Sequence, residues 1–146
     1  MNEGQNNGTA KAKILIVEDD EHVAMMMADL LTHADCEAEI APTAKRGFEL
    51  AEGNDFDLIT LDVDLPDANG FEICSRLKSH PRSRDTSVVF ISGRSHEADQ
   101  QRAFALSAVD YITKPFDALN FARRILSHVK TKSGSGAFPT TEGAAA

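Results

Sequence analysis

The sequence predicts an α/β fold: a doubly wound, five-stranded parallel sheet with helices on both faces and strand order 2-1-3-4-5. Three observations carry that prediction. Short apolar runs alternate with longer stretches of helical spacing, five of each, which is how a parallel sheet wrapped by crossover helices reads. The runs at 13–17, 56–61 and 87–91 are strongly apolar and rich in β-branched residues, as strands buried on both faces must be. These three belong in the middle of the sheet, and right-handed crossovers then leave the order 2-1-3-4-5 as the fitting topology.

Each element has its own signal. After the strand at 13–17, Val23, Met26, Met27, Leu30, Leu31 and Ala34 form one stripe at helical spacing. The three consecutive methionines read as core filling. Residues 37–40 are a weaker strand, and Ala44, Phe48 and Ala51 mark a short helix. The strand at 56–61 precedes a helix opened by Gly70, with Phe71, Cys74 and Leu77 inward and Pro81 beyond its end. The strand at 87–91 leads to a weakly striped helix over 96–107, then to a strand at 109–113. Asp117 caps a final helix with Leu119, Ala122, Leu126 and Val129 on one face. Residues 1–12 read as a disordered arm and 131–146 as a flexible Gly/Ser/Thr/Ala tail or the start of a linker.

Composition narrows the function. The chain has 146 residues and a formal charge of −8, with a pI of about 5. It carries no basic run of the kind that meets nucleic-acid phosphates. No apolar stretch approaches the roughly 20 residues of a membrane span, and the polar N-terminus lacks a signal-peptide core; a cytoplasmic location is expected. Cys36 and Cys74 have no metal-ligand spacing.

In a doubly wound sheet the site lies beyond the carboxyl ends of the strands, where the strand order reverses between strands 1 and 3. Strand 1 runs into Glu18-Asp19-Asp20, and strand 3 into Asp62-Val63-Asp64. Carboxylates crowded there repel one another, and a hard divalent cation, Mg²⁺ or Mn²⁺, relieves the repulsion. Asp20 and Glu21 read instead as the cap and first turn of the helix. Strand 4 ends in Ser92-Gly93; the hydroxyl can donate to an anionic oxygen, and the glycine permits close approach. Strand 5 delivers Tyr111 and, just past its end, Lys114, a point charge suited to phosphate, next to Pro115.

KILIVEDD (13–20), DLITLDVDLPDANG (57–70), VVFISG (88–93) and DYITKPF (110–116) resemble the receiver domains of two-component response regulators, chemotaxis-regulator-like and of flavodoxin-like three-layer architecture. The resemblance covers residues 13–130. It implies Asp62 as phosphoacceptor, with Ser92 and Lys114 contacting the phosphoryl group. It implies Asp19, Asp62 and the backbone carbonyl of Asp64 as Mg²⁺ ligands, with Glu18 helping through water. Lys114 would pair with Asp62 beforehand, and Tyr111 would change rotamer as Ser92 moves inward. A histidine kinase or histidine phosphotransfer protein would be the donor. Output would pass through the face of helix 4, strand 5 and helix 5, where Asp110, Arg123 and Arg124 can support a homodimer. The partner is a downstream protein or an output domain outside this chain, with no direct role for nucleic acid or membrane. Catalysis would be limited to metal-dependent self-phosphorylation and slow autodephosphorylation. Asp64 and Arg94, each two residues past a site residue, are expected to pair over the phosphoryl group and tune its lifetime.

Three rival readings fit the sequence less well. A haloacid-dehalogenase-type phosphatase shares an Asp-x-Asp after a strand, but Pro66 stands where Thr or Val is expected. A flavin-binding domain of this topology needs a Gly/Ser/Thr-rich loop after strand 1, where this chain has Glu-Asp-Asp-Glu. A phosphate-independent scaffold would not need the full set of residues present here.

Overall fold

A computed structural model describes residues 11–129. The expected tail at 131–146, and all but the last two residues of the expected N-terminal arm, lie outside that range. The elements in chain order are β1 (Lys13–Val17), α1 (Glu21–His33), β2 (Glu37–Ala41), α2 (Ala44–Gly53), β3 (Leu58–Leu61), α3 (Gly70–Ser79), β4 (Ser87–Ser92), α4 (Glu97–Ala105), β5 (Asp110–Thr113) and α5 (Ala118–Leu126). The sheet order is β2-β1-β3-β4-β5 with every pair parallel. This is the predicted doubly wound topology. Every residue of β3 and β4 is buried, while β2 alternates at one edge and β5 exposes its ends at the other.

Successive strand side chains point to opposite faces, and this divides the core. Leu15, Val17, Ile59, Leu61, Val88, Phe90 and Tyr111 pack with residues of α2, α3 and α4. Ile14, Ile16, Leu58, Val89, Ile91 and Ile112 pack with those of α1 and α5. Four helices begin with a side-chain cap on free N–H groups: Asp20 on His22 and Val23, Thr43 on Arg46, Asn69 on Phe71 and Asp117 on Leu119. At α4, His96 makes no such bond, and Ala103 is the helix's one buried residue. Ser107, just after α4, has φ 73°, a left-handed conformation that costs an L-residue about 1–2 kcal/mol.

Three expectations about faces are corrected. In α1 the buried residues are Ala24, Met27 and Leu31, whereas Met25 and Met26 are exposed. Met27 and Leu31 of the expected stripe are buried and Val23 and Leu30 pack against the core half-buried, but Met26 turns outward, so only one of the three methionines fills core. In α5, Leu119 is 93% exposed, and the deeply buried residues are Phe121 and Ile125. Position 119 lies in the first turn; Ala122, Leu126 and Val129 of the expected face do pack against the core. Gly93 would meet nothing within 4 Å if it carried a Cβ, so close approach is not the reason for a glycine there.

Thr60 sits in β3 between apolar neighbours, and its Oγ1 is buried without a hydrogen-bond partner among the described residues. An unsatisfied buried hydroxyl costs about 1–3 kcal/mol. Thr60→Val, of the same shape, is expected to raise stability by about 1 kcal/mol. Urea unfolding reads this as a higher midpoint at unchanged slope, and a lower midpoint would show that the hydroxyl is satisfied after all.

Candidate functional site at the sheet switch point

Ladder hydrogen bonds continue one step beyond the strands and fix the backbone of the residues that follow. Glu18 N–H donates to Ala41 O at 3.0 Å, Asp62 N–H to Val17 O at 3.2 Å and Lys114 N–H to Ser92 O at 2.8 Å. Three site residues thus stand at the carboxyl edge, each tied to the neighbouring strand. The Lys114–Pro115 peptide is cis.

Glu18, Asp19 and Asp62 bring carboxylate oxygens within 4.8 Å of one another. Glu18 is 2% exposed and Asp62 6%, while Asp19 is exposed at the mouth. Lys114 Nζ lies 2.8 Å from Glu18 Oε1 and 3.0 Å from Asp62 Oδ2. The remaining oxygens meet backbone donors: Asp20 N–H reaches Glu18 Oε2 at 3.1 Å, and Asp64 N–H reaches Asp62 Oδ1 at 3.2 Å.

Burial pushes the Glu18 carboxyl above its ordinary value, against the pull of Lys114 and the Asp20 N–H. Burial alone would lower the Lys114 ammonium. Its bonds to Glu18 and Asp62 outweigh that, and the net direction is upward. Three carboxylates and one ammonium leave a formal charge of −2. A divalent cation cancels that, and the donor set is all oxygen, as Mg²⁺ requires. A cleft of about 340 Å³ opens beside Asp19, lined by Val63, Asp64, Leu65, Pro66, Ala68 and Asn69. The residues therefore fit the expected metal.

The other expected residues gather around this centre. Ser92 ends β4 fully buried, and its Oγ accepts the Arg94 N–H at 3.1 Å. Tyr111 is 5% exposed, and its hydroxyl donates to the Arg94 carbonyl at 2.7 Å; burial raises the phenol's pKa. Asp64 and Arg94 do pair, as a two-pronged ion pair. Nε reaches Oδ2 at 2.9 Å and an Nη reaches Oδ1 at 2.7 Å. The guanidinium holds the Asp64 carboxyl below its ordinary value.

Three features went unread in the sequence. A Cβ on Gly70 would lie 2.2 Å from the Asp62 carbonyl oxygen, so only glycine lets α3 begin this close to the site. The Asn-Gly pair at a helix start was the available signal. Asp67 accepts the Ala44 and Lys45 N–H groups at 2.8 and 3.0 Å, tying the loop after β3 to the start of α2. Glu18 shares Lys114 with Asp62, which no local pattern encodes.

Asp110 and Arg124, expected to face a second copy, face each other within the chain. Arg124 donates through Nε and an Nη at 2.7 and 2.8 Å, and His128 Nε2 lies 2.9 Å from the same carboxylate.

A doubly wound sheet with a lysine-bridged acid cluster beyond its strand ends defines a class of α/β protein whose site offers oxygen ligands to a divalent cation. The comparisons with known proteins agree. Residues 14–126 match the response regulator receiver domain family, and the chain belongs to that family, the receiver domains of two-component systems. The chain is 37% identical over 113 residues to the response regulator ArlR of Staphylococcus saprophyticus, covering 77% of this chain and 50% of that one. It is 36% identical over 120 residues to the transcriptional regulatory protein YvrH of Bacillus subtilis, covering 82% of this chain and 49% of that one. The chain thus spans about half the length of these curated relatives. The non-phosphorylated HemR receiver domain of Leptospira biflexa superposes with a TM-score of 0.76 at 30% identity, covering 84% of this chain and 97% of that one. No helix among the described residues is long and apolar enough to cross a membrane.

The Asp110 cluster generates a pH prediction. Burial would raise this carboxyl, but the bonds from Arg124 and His128 prevail and hold it at about 2, against an ordinary 3.8. A depressed folded-state value gives stability that is present above the unfolded value and lost as pH falls through the folded one. Asp110→Asn is therefore expected to cost roughly 2 kcal/mol at neutral pH. It is also expected to flatten the stability–pH curve between about pH 4 and 2, measured by urea unfolding. An unchanged slope in that window would show that the cluster does not contribute.

Proposed function

We propose that this chain is a phosphorylation-dependent signalling switch that accepts a phosphoryl group on Asp62. The donor is a histidine kinase or histidine phosphotransfer protein in a two-component phosphorelay. The observation that carries the reading is the meeting of Glu18, Asp19, Asp62 and Lys114 at the carboxyl edge of the sheet, brought together from the ends of three strands.

A carboxylate oxygen of Asp62 attacks phosphorus, the bond from phosphorus to the donor's leaving atom breaks, and the leaving electrons stay with the donor. Asp19, Asp62 and the Asp64 carbonyl would hold Mg²⁺ (or Mn²⁺), with Glu18 assisting through water. When bound, the ion neutralises charge gathering on the phosphoryl oxygens. Lys114 is already aimed at Asp62 and needs little displacement to meet a phosphoryl oxygen. Glu18 keeps that ammonium at the carboxyl edge of the sheet. Ser92 contributes its hydroxyl to the new group, and the movement passes to Tyr111 and the face of α4, β5 and α5. Asp64 and Arg94, paired over the opening, hinder the water that would hydrolyse the product.

The output partner is a downstream protein or an output domain outside this chain; both ArlR and YvrH extend well beyond the matched region. Phe104 and Val109 are exposed on or beside that face, which favours protein contact, including contact with a second copy. With a formal charge of −8 and no helix among the described residues long and apolar enough to cross a membrane, this reading places the protein in the cytoplasm and away from direct contact with nucleic acid or membrane. Catalysis is limited to self-phosphorylation and slow hydrolysis.

Intact mass spectrometry after incubation with Mg²⁺ and a small acyl phosphate is expected to show one added phosphoryl group. That group is expected to be absent with EDTA or in Asp62→Asn. No added mass in the wild type would reject the reading. Arg94→Ala is expected to shorten the phosphoryl lifetime several-fold, followed by loss of the added mass with time; an unaltered rate would remove the pair from the hydrolysis step.

A further inference from the structure

The Asp64–Arg94 pair does more than cover the opening, because its arginine also holds the switch residues through main-chain atoms. Arg94 touches three residues. Its guanidinium grips Asp64 of the β3–α3 loop at 2.7 and 2.9 Å, its N–H donates to Ser92 Oγ at 3.1 Å, and its carbonyl accepts the Tyr111 hydroxyl at 2.7 Å. The segment carrying it is otherwise lightly anchored. Gly93 packs against nothing on its open side, His96 gives α4 no side-chain cap, and α4 buries only Ala103. Tyr111 meanwhile lies inward, 6.1 Å from the Phe90 ring centroid in a stacked arrangement.

We infer that the Asp64–Arg94 ion pair is a latch that holds the β4–α4 loop over the site and thereby keeps Tyr111 buried before any phosphoryl group arrives. This rests on the reading of Ser92 and Tyr111 as the switch residues. Cutting the guanidinium frees the loop, carries the Arg94 carbonyl away and leaves the buried Tyr111 hydroxyl without its acceptor, which drives the ring outward. Arg94 is then a positioning residue: it acts on the output face through Tyr111 and contacts none of the reacting atoms in doing so. Both side chains of the pair are about half exposed. Exposed pairs are weak, but two-pronged geometry is the favourable case, and such a pair biases a two-state equilibrium by a factor of up to about 5. A bias of that size favours the inward ring without fixing it. Exposure also makes the latch salt-sensitive.

The test uses the tyrosine itself. Tyr111 is the chain's one tyrosine, and there is no tryptophan, so tyrosine fluorescence reports this ring alone. Acrylamide, an uncharged quencher, is titrated against the full chain in EDTA with no phosphodonor. Arg94→Ala and Asp64→Asn are each expected to raise quenching about twofold or more. The exchanged pair Asp64→Arg with Arg94→Asp is expected to return it toward wild type. Raising salt to about 1 M, where the screening length is about 3 Å, is expected to raise quenching of the wild type and not of Arg94→Ala. The salt arm needs no substitution, so it decides the matter even if a variant misfolds. Equal quenching in the wild type and both single variants, or a wild type indifferent to salt, overturns the latch. Because no phosphoryl group is present, the result is separate from whether Asp62 accepts one. Failed phosphorylation with the quenching pattern intact would reject the signalling reading and leave the latch standing.

Discussion

Lys114 is the hinge of the whole arrangement. Its ammonium is 2.8 Å from one nearly buried carboxylate and 3.0 Å from another, and removing it would leave two close negative charges on strand ends that cannot move apart. At an effective dielectric of about 20, unit charges about 4 Å apart interact by about 4 kcal/mol, a large share of the stability of a domain this size. The lysine thus allows the acids to be placed for chemistry without breaking the sheet. Because one positive charge cannot balance three negative ones, the cluster still invites a divalent ion.

The fold delivers these groups by an economical route. Parallel strands end on one edge of the sheet, and each ladder bond past the last strand residue fixes the next backbone amide. Glu18, Asp62 and Lys114 are positioned that way, by hydrogen bonds their own strands make with neighbours. Gly70 supplies the complementary condition: α3 starts so near the Asp62 carbonyl that any side chain at that position would collide with it. Asp67 carries the constraint outward, since its carboxylate caps α2. The site loop is therefore framed by three helices, α1, α2 and α3. The fourth, α4, is held more loosely, by one buried alanine and the contacts of Arg94 in the preceding loop.

That unevenness has a functional sense. Segments that must rearrange come from the low-stability end of a fold, and the β4–α4 segment fits that description. Ser92 and Tyr111 lie beneath it, and the Asp64–Arg94 pair crosses above it. On the far side, Asp110 anchors α5 to β5 through Arg124 and His128. One side of the α4, β5 and α5 face is thus tied by ion pairs and the other by fewer contacts.

The sequence by itself determined the sheet and which residues stand at the ends of its strands. Apolar β-branched runs dictate buried strands, and the alternation with helical spacing dictates a parallel sheet. Acids after strands 1 and 3, a serine after strand 4 and a lysine after strand 5 follow from position alone, because a strand's end is local information. Only the tertiary structure decided which partners those groups take. Lys114 and Glu18 are far apart along the chain, and nothing in either neighbourhood announces their bond. The same holds for Asp67 with α2 and for Tyr111 with the Arg94 carbonyl. The Asp64–Arg94 pair was legible because both residues lie at fixed offsets from site residues on adjacent strands. The facing of α1 and α5 was legible in part: Met27, Leu31, Ala122 and Leu126 pack on the core as their spacing implies, while the depth of Ala24 and Phe121 went unread. Met26 and Leu119 are exposed, because burial at the margin of a stripe depends on what packs beside it, which no periodicity records.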